Sequence, residues 1–284
     1  MGYLILSILS SSMIYVAFRI AKDYDCKLTS LITYNYLAAT ILGVLFFHPF
    51  KSASFEYSAH WLPFGLLLGV LFIAMFFLIG NSSQKAGITV TTLANKLSLV
   101  FPVLFSLFYF NEKISALKYF GLGTAIIAVV LTVYKKDITK NHSFHILLPL
   151  LIFFGSGLVD SVVKYVQALK ISENEIALYT TVVFFVAFLC GVSVTLIGKN
   201  KKFDYKTPTL LLGILLGVAN FGSLYFFINA LNKSNLESSL VFALNNMSIV
   251  AFTALLGILL FNEKLNKINF AGIVMAIISL YFLL

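Results

Sequence analysis

Long apolar segments of similar length recur along the chain, and short polar segments rich in charge, Asn, Ser, Gly or Pro separate them. Each apolar segment approaches the roughly 20 residues that an α-helix needs to cross the hydrocarbon core of a bilayer. Because a backbone in lipid must satisfy its own hydrogen bonds, runs this long and continuously apolar favour helices over barrel strands. The pattern therefore predicts an all-α polytopic membrane protein with about ten transmembrane helices. Their expected positions are residues 2–20, 29–47, 61–80, 87–110, 116–134, 144–166, 175–197, 208–230, 236–261 and 267–284.

The composition narrows the class of protein further. Hydrophobic residues make up 60% of the 284 positions, and charged residues make up 11%. Soluble domains are charged at roughly 25% of their positions, so this composition excludes a water-soluble fold. The net charge of +9 is spread over the short connections and does not follow one helix face or one tail. We therefore expect the basic residues to set the topology and contact lipid headgroups, and we expect no nucleic-acid partner.

The chain repeats itself at an offset of about 150 residues. The segment Phe-Asn-Glu-Lys at 110–113 recurs at 261–264, and in both copies a Gly follows nine residues after the Glu. A similar offset places the Gly-x-x-x-Gly segment at 65–69 on 213–217. These matches predict two five-helix halves, residues 1–138 and 139–284.

The number of helices in each half has a consequence for topology. Five is odd, so the second half enters the membrane from the opposite side and the repeats are inverted. Inverted repeats give one scaffold two nearly equivalent packings, each open to one side of the membrane. This geometry is typical of transport by alternating access.

Short motifs in both halves resemble those of a known family. They are Ala86-Gly87, Pro102, the segment 110–113 and Gly121, echoed by Glu263 and Gly272. The pattern resembles the EamA-type transporters of the drug/metabolite transporter superfamily. The resemblance implies ten helices in two inverted five-helix repeats and the export or exchange of amino acids, drugs and other metabolites. The second half departs from the pattern because Phe252 or a neighbour replaces the Pro of the first half.

Two ionisable residues lie where lipid would not tolerate them. Lys96 falls near the middle of the fourth predicted helix, where an unpaired cation costs roughly 2.5–3.5 kcal/mol on insertion scales. It either binds an anionic group of a substrate or pairs with a carboxylate of another helix. Asp160 is the only acidic residue deep inside an apolar run. It is a candidate for proton coupling, and pairing with Lys164 or with Lys96 would explain it equally well.

Matched polar residues extend the candidate substrate site. Asn95 aligns with Asn245, next to Asn246, and amide side chains both donate and accept hydrogen bonds. They either bind a polar solute or join two helices. Tyr34 aligns with Tyr179, and both are candidates for the cavity or for an interfacial aromatic belt.

Other side chains carry less chemistry. Glu112 and Glu263 each end a predicted helix beside a Lys, a position typical of interfacial anchors. The chain contains no HExxH motif and no Walker-type loop. The two cysteines lie far apart, without a histidine at ligand spacing. We therefore expect no enzymatic activity, no catalytic residue, no metal and no cofactor.

The function predicted from the sequence is secondary transport. The chain would export or exchange small polar metabolites such as amino acids, with a coupling proton as a further candidate partner. The alternatives are a drug or cation exporter of the same architecture, and a non-transporting membrane sensor or channel. The expected location is a bacterial cytoplasmic (inner) membrane, which the chain would cross several times.

Overall fold

The structure is a computed structural model that describes residues 2–47, 60–101, 104–105, 109, 115–133, 143–171, 175–197, 202–233 and 238–283. These residues form ten helices and no strand, which confirms the all-α prediction. The helices are α1 (Gly2–Asp23), α2 (Leu28–Phe47), α3 (Leu62–Lys85), α4 (Ile88–Leu97), α5 (Ala116–Val133), α6 (Ser143–Leu169), α7 (Ile176–Ile197), α8 (Thr207–Lys233), α9 (Ser238–Phe261) and α10 (Lys267–Leu283).

Six of the described helices are long and apolar enough to cross a membrane. The qualifying stretches are Gly2–Asp23, Leu28–Phe46, Leu62–Lys85, Leu178–Ile197, Thr207–Ala230 and Leu244–Phe261. Large apolar side chains such as Leu66, Leu67 and Val70 of α3 are about half exposed. Exposed apolar surface of this kind is what lipid tails cover. The chain is therefore an integral membrane protein.

The fourth predicted helix is shorter than the hydropathy suggested. The chain leaves the helix at Ser98 and Leu99 and becomes helical again at Val100, so the expectation of one continuous helix over 87–110 is wrong. Proline at 102 gives the physical reason, because it has no N–H to donate to the carbonyl four residues earlier. That carbonyl belongs to Ser98, and it accepts a tighter hydrogen bond from the N–H of Phe101 at 2.9 Å. Residues 110–114, which include Glu112, lie outside the described part of the chain.

The described helices group into two compact units. The first contains Met1–Arg19, Leu78–Asp160 and Gly222–Leu284, and the second contains Ile20–Phe77 and Ser161–Phe221. Within the first unit α4 packs on α9 and α5 packs on α10, whereas α2 packs on α7 within the second. Each unit therefore draws helices from both predicted halves.

Glycines set the helix spacing in the second unit. A Cβ atom on Gly69 of α3 would lie 2.5 Å from Cγ1 of Val186 in α7. A Cβ atom on Gly217 of α8 would lie 2.5 Å from the carbonyl oxygen of Asn35 in α2. The two Gly-x-x-x-Gly segments thus let α3 approach α7 and α8 approach α2 closely.

Candidate functional site

Helix α4 carries the centre of the candidate site in the first unit. Most of its ten residues are buried, including three threonines. The hydroxyl of Thr91 donates to the carbonyl of Gly87 at 2.7 Å, and the hydroxyl of Thr92 donates to the carbonyl of Ile88 at 2.8 Å. These local bonds satisfy the two hydroxyls within α4, and the hydroxyl of Thr91 also lies 2.7 Å from the hydroxyl of Ser82 on α3. The last turn of this buried helix presents Asn95 and Lys96.

Lys96 lies directly before the turn that ends α4. Its side chain is partly buried, and its ammonium group forms neither a hydrogen bond nor a direct ion pair with the described residues. The carboxylate of Asp160 on α6 attracts it electrostatically at longer range. The carboxyl end of a helix also favours a cation, because the peptide dipoles place partial negative charge there. Among the described residues, the three hydrogen-bond donors of the Lys96 ammonium therefore have no partner.

Ser98 joins the end of α4 to α6. Its hydroxyl lies 3.0 Å from Oδ2 of Asp160 and also contacts the carbonyl oxygen of Asn95. A hydroxyl has one hydrogen, so these two acceptors share a single donor. Ser98 was not among the residues predicted from the sequence. Proline at 102 is the feature of the sequence that could have indicated Ser98, because proline removes the helical hydrogen bond to the carbonyl four residues earlier.

Asn95 connects α4 to α1. Its Nδ2 donates to the hydroxyl oxygen of Tyr15 at 2.6 Å, and Tyr15 is 3% exposed. The structure therefore brings the predicted residues Asn95, Lys96 and Asp160 into one polar cluster, extended by Tyr15 and Ser98.

Asn245 and Asn246 lie on α9, the helix that packs on α4. Both side chains are buried, at 6% and 9% exposure. The Oδ1 atom of Asn245 has no hydrogen-bond partner among the described residues. A buried amide oxygen without a donor is costly, so this group is available to a polar solute.

Tyr34 and Tyr179 belong to the second unit, whereas the residues of the polar cluster belong to the first. The hydroxyl of Tyr34 donates to the carbonyl oxygen of Asp204 at 3.2 Å. The ring of Tyr179 packs edge-on against Trp61 with 5.5 Å between ring centroids, and its buried hydroxyl has no partner among the described residues. A role for either tyrosine in substrate binding stays a prediction.

Asp204 organises a charged segment of the second unit outside the membrane-spanning helices. Its carboxylate accepts hydrogen bonds from the Oγ1 of Thr209 at 2.6 Å and from the backbone N–H groups of Lys27 and Lys206 at 3.2 and 3.1 Å. Partial burial raises the pKa of this carboxyl, but the hydrogen bonds outweigh it and hold the pKa below its usual value. The segment borders a cavity of about 430 Å³, which Lys202 also lines.

Metal ligands do not cluster in the part of the chain that the structure describes. No group of three or more His, Cys, Asp or Glu side chains there is arranged to hold a metal ion. The polar cluster of the first unit consists instead of amide, hydroxyl, ammonium and carboxylate groups. Amide, hydroxyl, ammonium and carboxylate groups are the kinds of group that recognise polar solutes by hydrogen bonds and charge.

Comparison with known proteins identifies relatives across the whole chain. The chain is 30% identical over 295 residues to an uncharacterized protein of Haemophilus influenzae (strain ATCC 51907 / DSM 11121 / KW20 / Rd), and the alignment covers 100% of this chain and 98% of that protein. A solved structure described as a crystal structure of a protein aligns with 99% of this chain and 94% of its own, with a TM-score of 0.59 and 12% identity. At that identity the likeness shows the fold alone.

The family match covers nearly every residue. The model of the EamA-like transporter family matches the chain twice, over residues 1–134 and over residues 143–284. The described helices are apolar and include six candidate membrane spans, which agrees with a membrane transporter. The chain therefore belongs to the EamA-like transporter family of the drug/metabolite transporter superfamily.

Proposed function

We propose that the chain is a secondary transporter that exports or exchanges small polar metabolites such as amino acids by alternating access. The observation that carries the proposal is the cluster at the break of α4, where the Lys96 ammonium, near Asn95 and Asp160, has no hydrogen-bond or ion-pair partner among the described residues. An unpaired cation inside a membrane protein marks a substrate or ion site by default, because lipid gives it no compensation.

In the first unit the solute would meet an ammonium group and amide groups. The Lys96 ammonium binds a carboxylate or another anionic group of the solute. The amides of Asn95, Asn245 and Asn246 bind its polar groups, and the unpartnered Oδ1 of Asn245 supports this role. Tyr34 and Tyr179 remain candidates on the strength of their internal match and, for Tyr179, of its unpartnered hydroxyl.

Asp160 is the candidate for proton coupling. Its carboxylate accepts from Ser98 and attracts Lys96, so its charge acts on the last turn of α4 and on the break that follows it. Protonation would remove that attraction and leave Lys96 to an anionic solute. Proton loading would thereby change both the affinity of the site and the position of α4.

The packing of equivalent helices supports the inverted-repeat architecture with halves 1–138 and 139–284. Helices α2 and α7, α4 and α9, and α5 and α10 occupy corresponding places in the two halves, and each pair is in contact. Contacts between equivalents are expected around a two-fold axis. The bacterial relative supports a place in a bacterial cytoplasmic membrane.

A thermal-shift screen of the purified protein tests the site. Amino acids, organic acids, nucleosides and cationic drugs are added to wild type, Lys96→Ala and Asp160→Asn, because a ligand of the folded state raises its apparent stability. We expect an anionic or zwitterionic solute to stabilise wild type and to lose its effect with Lys96→Ala. If no solute stabilises wild type while Lys96→Ala alone melts lower, Lys96 has a structural role and the proposal fails. Stabilisation by cationic drugs alone would favour the drug exporter.

A further inference from the structure

The amino end of α4 lacks a cap of its own. The residue at the N-cap is Gly87, which has no side chain to accept a hydrogen bond, whereas Ser, Thr, Asp or Asn usually serve there. The carboxylate of Glu263 takes that place from the segment after α9. Its Oε1 accepts the N–H of Ile88 at 2.6 Å, and its Oε2 lies 3.3 Å from the N–H of Thr89.

Two glycines make room for this carboxylate. A Cβ atom on Gly87 would lie 2.6 Å from Oε1 of Glu263, and a Cβ atom on Gly257 would lie 2.6 Å from Oε2. Gly87 also has a φ of +103°, a conformation that other residues rarely adopt. Any side chain at either position would displace the Glu263 carboxylate from the end of α4.

The chain after α9 turns so that Glu263 points back to the helix. Asn262 has a positive φ of 50°, which suits a residue that ends a helix. The N–H of Glu263 then donates to the carbonyl oxygen of Gly257 at 3.0 Å. The second copy of the Phe-Asn-Glu-Lys segment, at 261–264, therefore places the Glu263 carboxylate at the start of another helix, in addition to the interfacial role that its sequence suggested.

We propose that Glu263 is a positioning residue that holds α4, and with it Lys96 and Asn95, in the geometry that binds the solute. This inference rests on the proposed transport function and extends it to a residue of the second half. Helix α4 has ten residues and is held at its amino end by Glu263 and beyond its carboxyl end by the Ser98–Asp160 hydrogen bond. A short helix moves as a rigid element, so a shift at Ile88 displaces Lys96 two turns later.

The negative charge of the Glu263 carboxylate also helps to hold α4 in place. The amino end of a helix carries partial positive charge, which the Glu263 carboxylate complements. A neutral acceptor would restore one hydrogen bond and no charge. Gln at 263 should therefore hold α4 only in part, and Ala should release it.

Hydrogen exchange tests the contact without any solute. The variants are Glu263→Ala, Glu263→Gln and, as a matched control, Lys264→Ala at the exposed neighbouring residue. We expect the amides of Ile88 and Thr89 to exchange about five- to tenfold faster in Glu263→Ala, consistent with loss of a helix cap. Glu263→Gln should lie between wild type and Ala, and Lys264→Ala should match wild type. Unchanged exchange at Ile88 and Thr89 in Glu263→Ala would overturn the proposal.

Solute binding separates positioning from simple stabilisation. With the solute identified by the thermal-shift screen, Glu263→Ala should weaken binding about tenfold or more, Glu263→Gln should recover part of it, and Lys264→Ala should bind as wild type. Full affinity in Glu263→Ala would show that the contact does not position Lys96, and would overturn the proposal. A screen without any stabilising solute would contradict the transport proposal, whereas hydrogen exchange decides the Glu263 contact independently. If Glu263→Ala fails to fold, Glu263→Gln carries both measurements.

Discussion

At the scale of single residues, several polar side chains in the helices have hydrogen-bond donors or acceptors that the described residues do not fully satisfy. Among the described residues, the Ser98 hydroxyl serves two acceptors with one hydrogen, the Lys96 ammonium has no hydrogen-bond partner, and the Oδ1 of Asn245 has no donor. Unsatisfied buried polar groups cost roughly 1–3 kcal/mol each, and packing alone gives no reason to retain them. The Oδ1 of Asn245 lies on α9, the helix that packs on α4, so a polar solute bound at the proposed site would satisfy it.

Asp204 shows the opposite arrangement, because both oxygens of its carboxylate accept hydrogen bonds. Hydrogen bonds to the charged form lower its pKa below 3.8, so the ionised carboxylate stabilises the folded state at neutral pH. That stabilisation should be lost as the pH falls from about 4 through the lowered pKa. We expect Asp204→Asn to reduce the free energy of unfolding at pH 7 by about 1 kcal/mol, as for loss of a helix cap.

Thermal unfolding between pH 7 and pH 3 measures this effect. The melting temperatures of wild type and Asp204→Asn should converge at the acid end, because a protonated Asp204 resembles Asn. Asp23→Asn removes an exposed carboxylate and serves as the control for charge alone. A difference between wild type and Asp204→Asn that persists unchanged at pH 3 would refute the assignment.

At the scale of secondary-structure elements, glycines decide how closely two helices approach each other. The Gly217 contact is with a backbone carbonyl, which has no rotamer to escape. Gly123 of α5, by contrast, has nothing within 4 Å of the position of an added Cβ. A comparison of substitutions at these two positions separates the cost of steric overlap with a neighbouring helix from the cost of glycine within a helix.

Alanine substitutions at the two glycines should have opposite signs. Gly217→Ala should destabilise the protein by about 1–3 kcal/mol through overpacking against Asn35. Gly123→Ala should stabilise it by up to about 1 kcal/mol, because alanine is the better helix former. Unfolding in a mild detergent with increasing sodium dodecyl sulphate measures both variants. Equal effects at the two positions would contradict the close approach of α8 to α2.

At the scale of the whole molecule, every compact unit contains helices from both halves of the sequence. The α4–α9 and α5–α10 contacts lie within the first unit, and the α2–α7 contact lies within the second. A helix of one half therefore cannot change its packing without affecting its equivalent in the other. Contacts between equivalent helices agree with the inverted repeats that we propose.

Transport in proteoliposomes tests this proposal together with the coupling role of Asp160. Wild type should show saturable counterflow of the identified solute, and a pH gradient should drive its accumulation. Asp160→Asn should retain counterflow and lose accumulation driven by the pH gradient, since Asn cannot carry the proton. Flux that does not saturate would indicate a channel, and gradient-driven accumulation in Asp160→Asn would exclude Asp160 as the coupling residue.

Hydropathy by itself indicated the membrane class and about ten helices, and the recurrence of short motifs indicated the internal repeat. Lipid imposes a length and an apolar composition on every spanning segment, so each segment can be recognised from its own residues alone. Lys96 and Asp160 were also recognisable from sequence, because an ionisable residue within an apolar run has few explanations. The interruption of α4 was predictable in principle from proline at 102.

Only the tertiary structure decided which of these residues meet. Glu263 contacts Ile88 across 175 positions, Asn95 contacts Tyr15 across 80, and Ser98 contacts Asp160 across 62. Sequence periodicity fixes which residues share a helix face, but it contains no distance between helices that are far apart in the chain. The tertiary structure likewise placed Tyr34 and Tyr179 in a different compact unit from Lys96. Helix packing sets those distances, because it depends on the small residues and polar contacts that let particular helices approach.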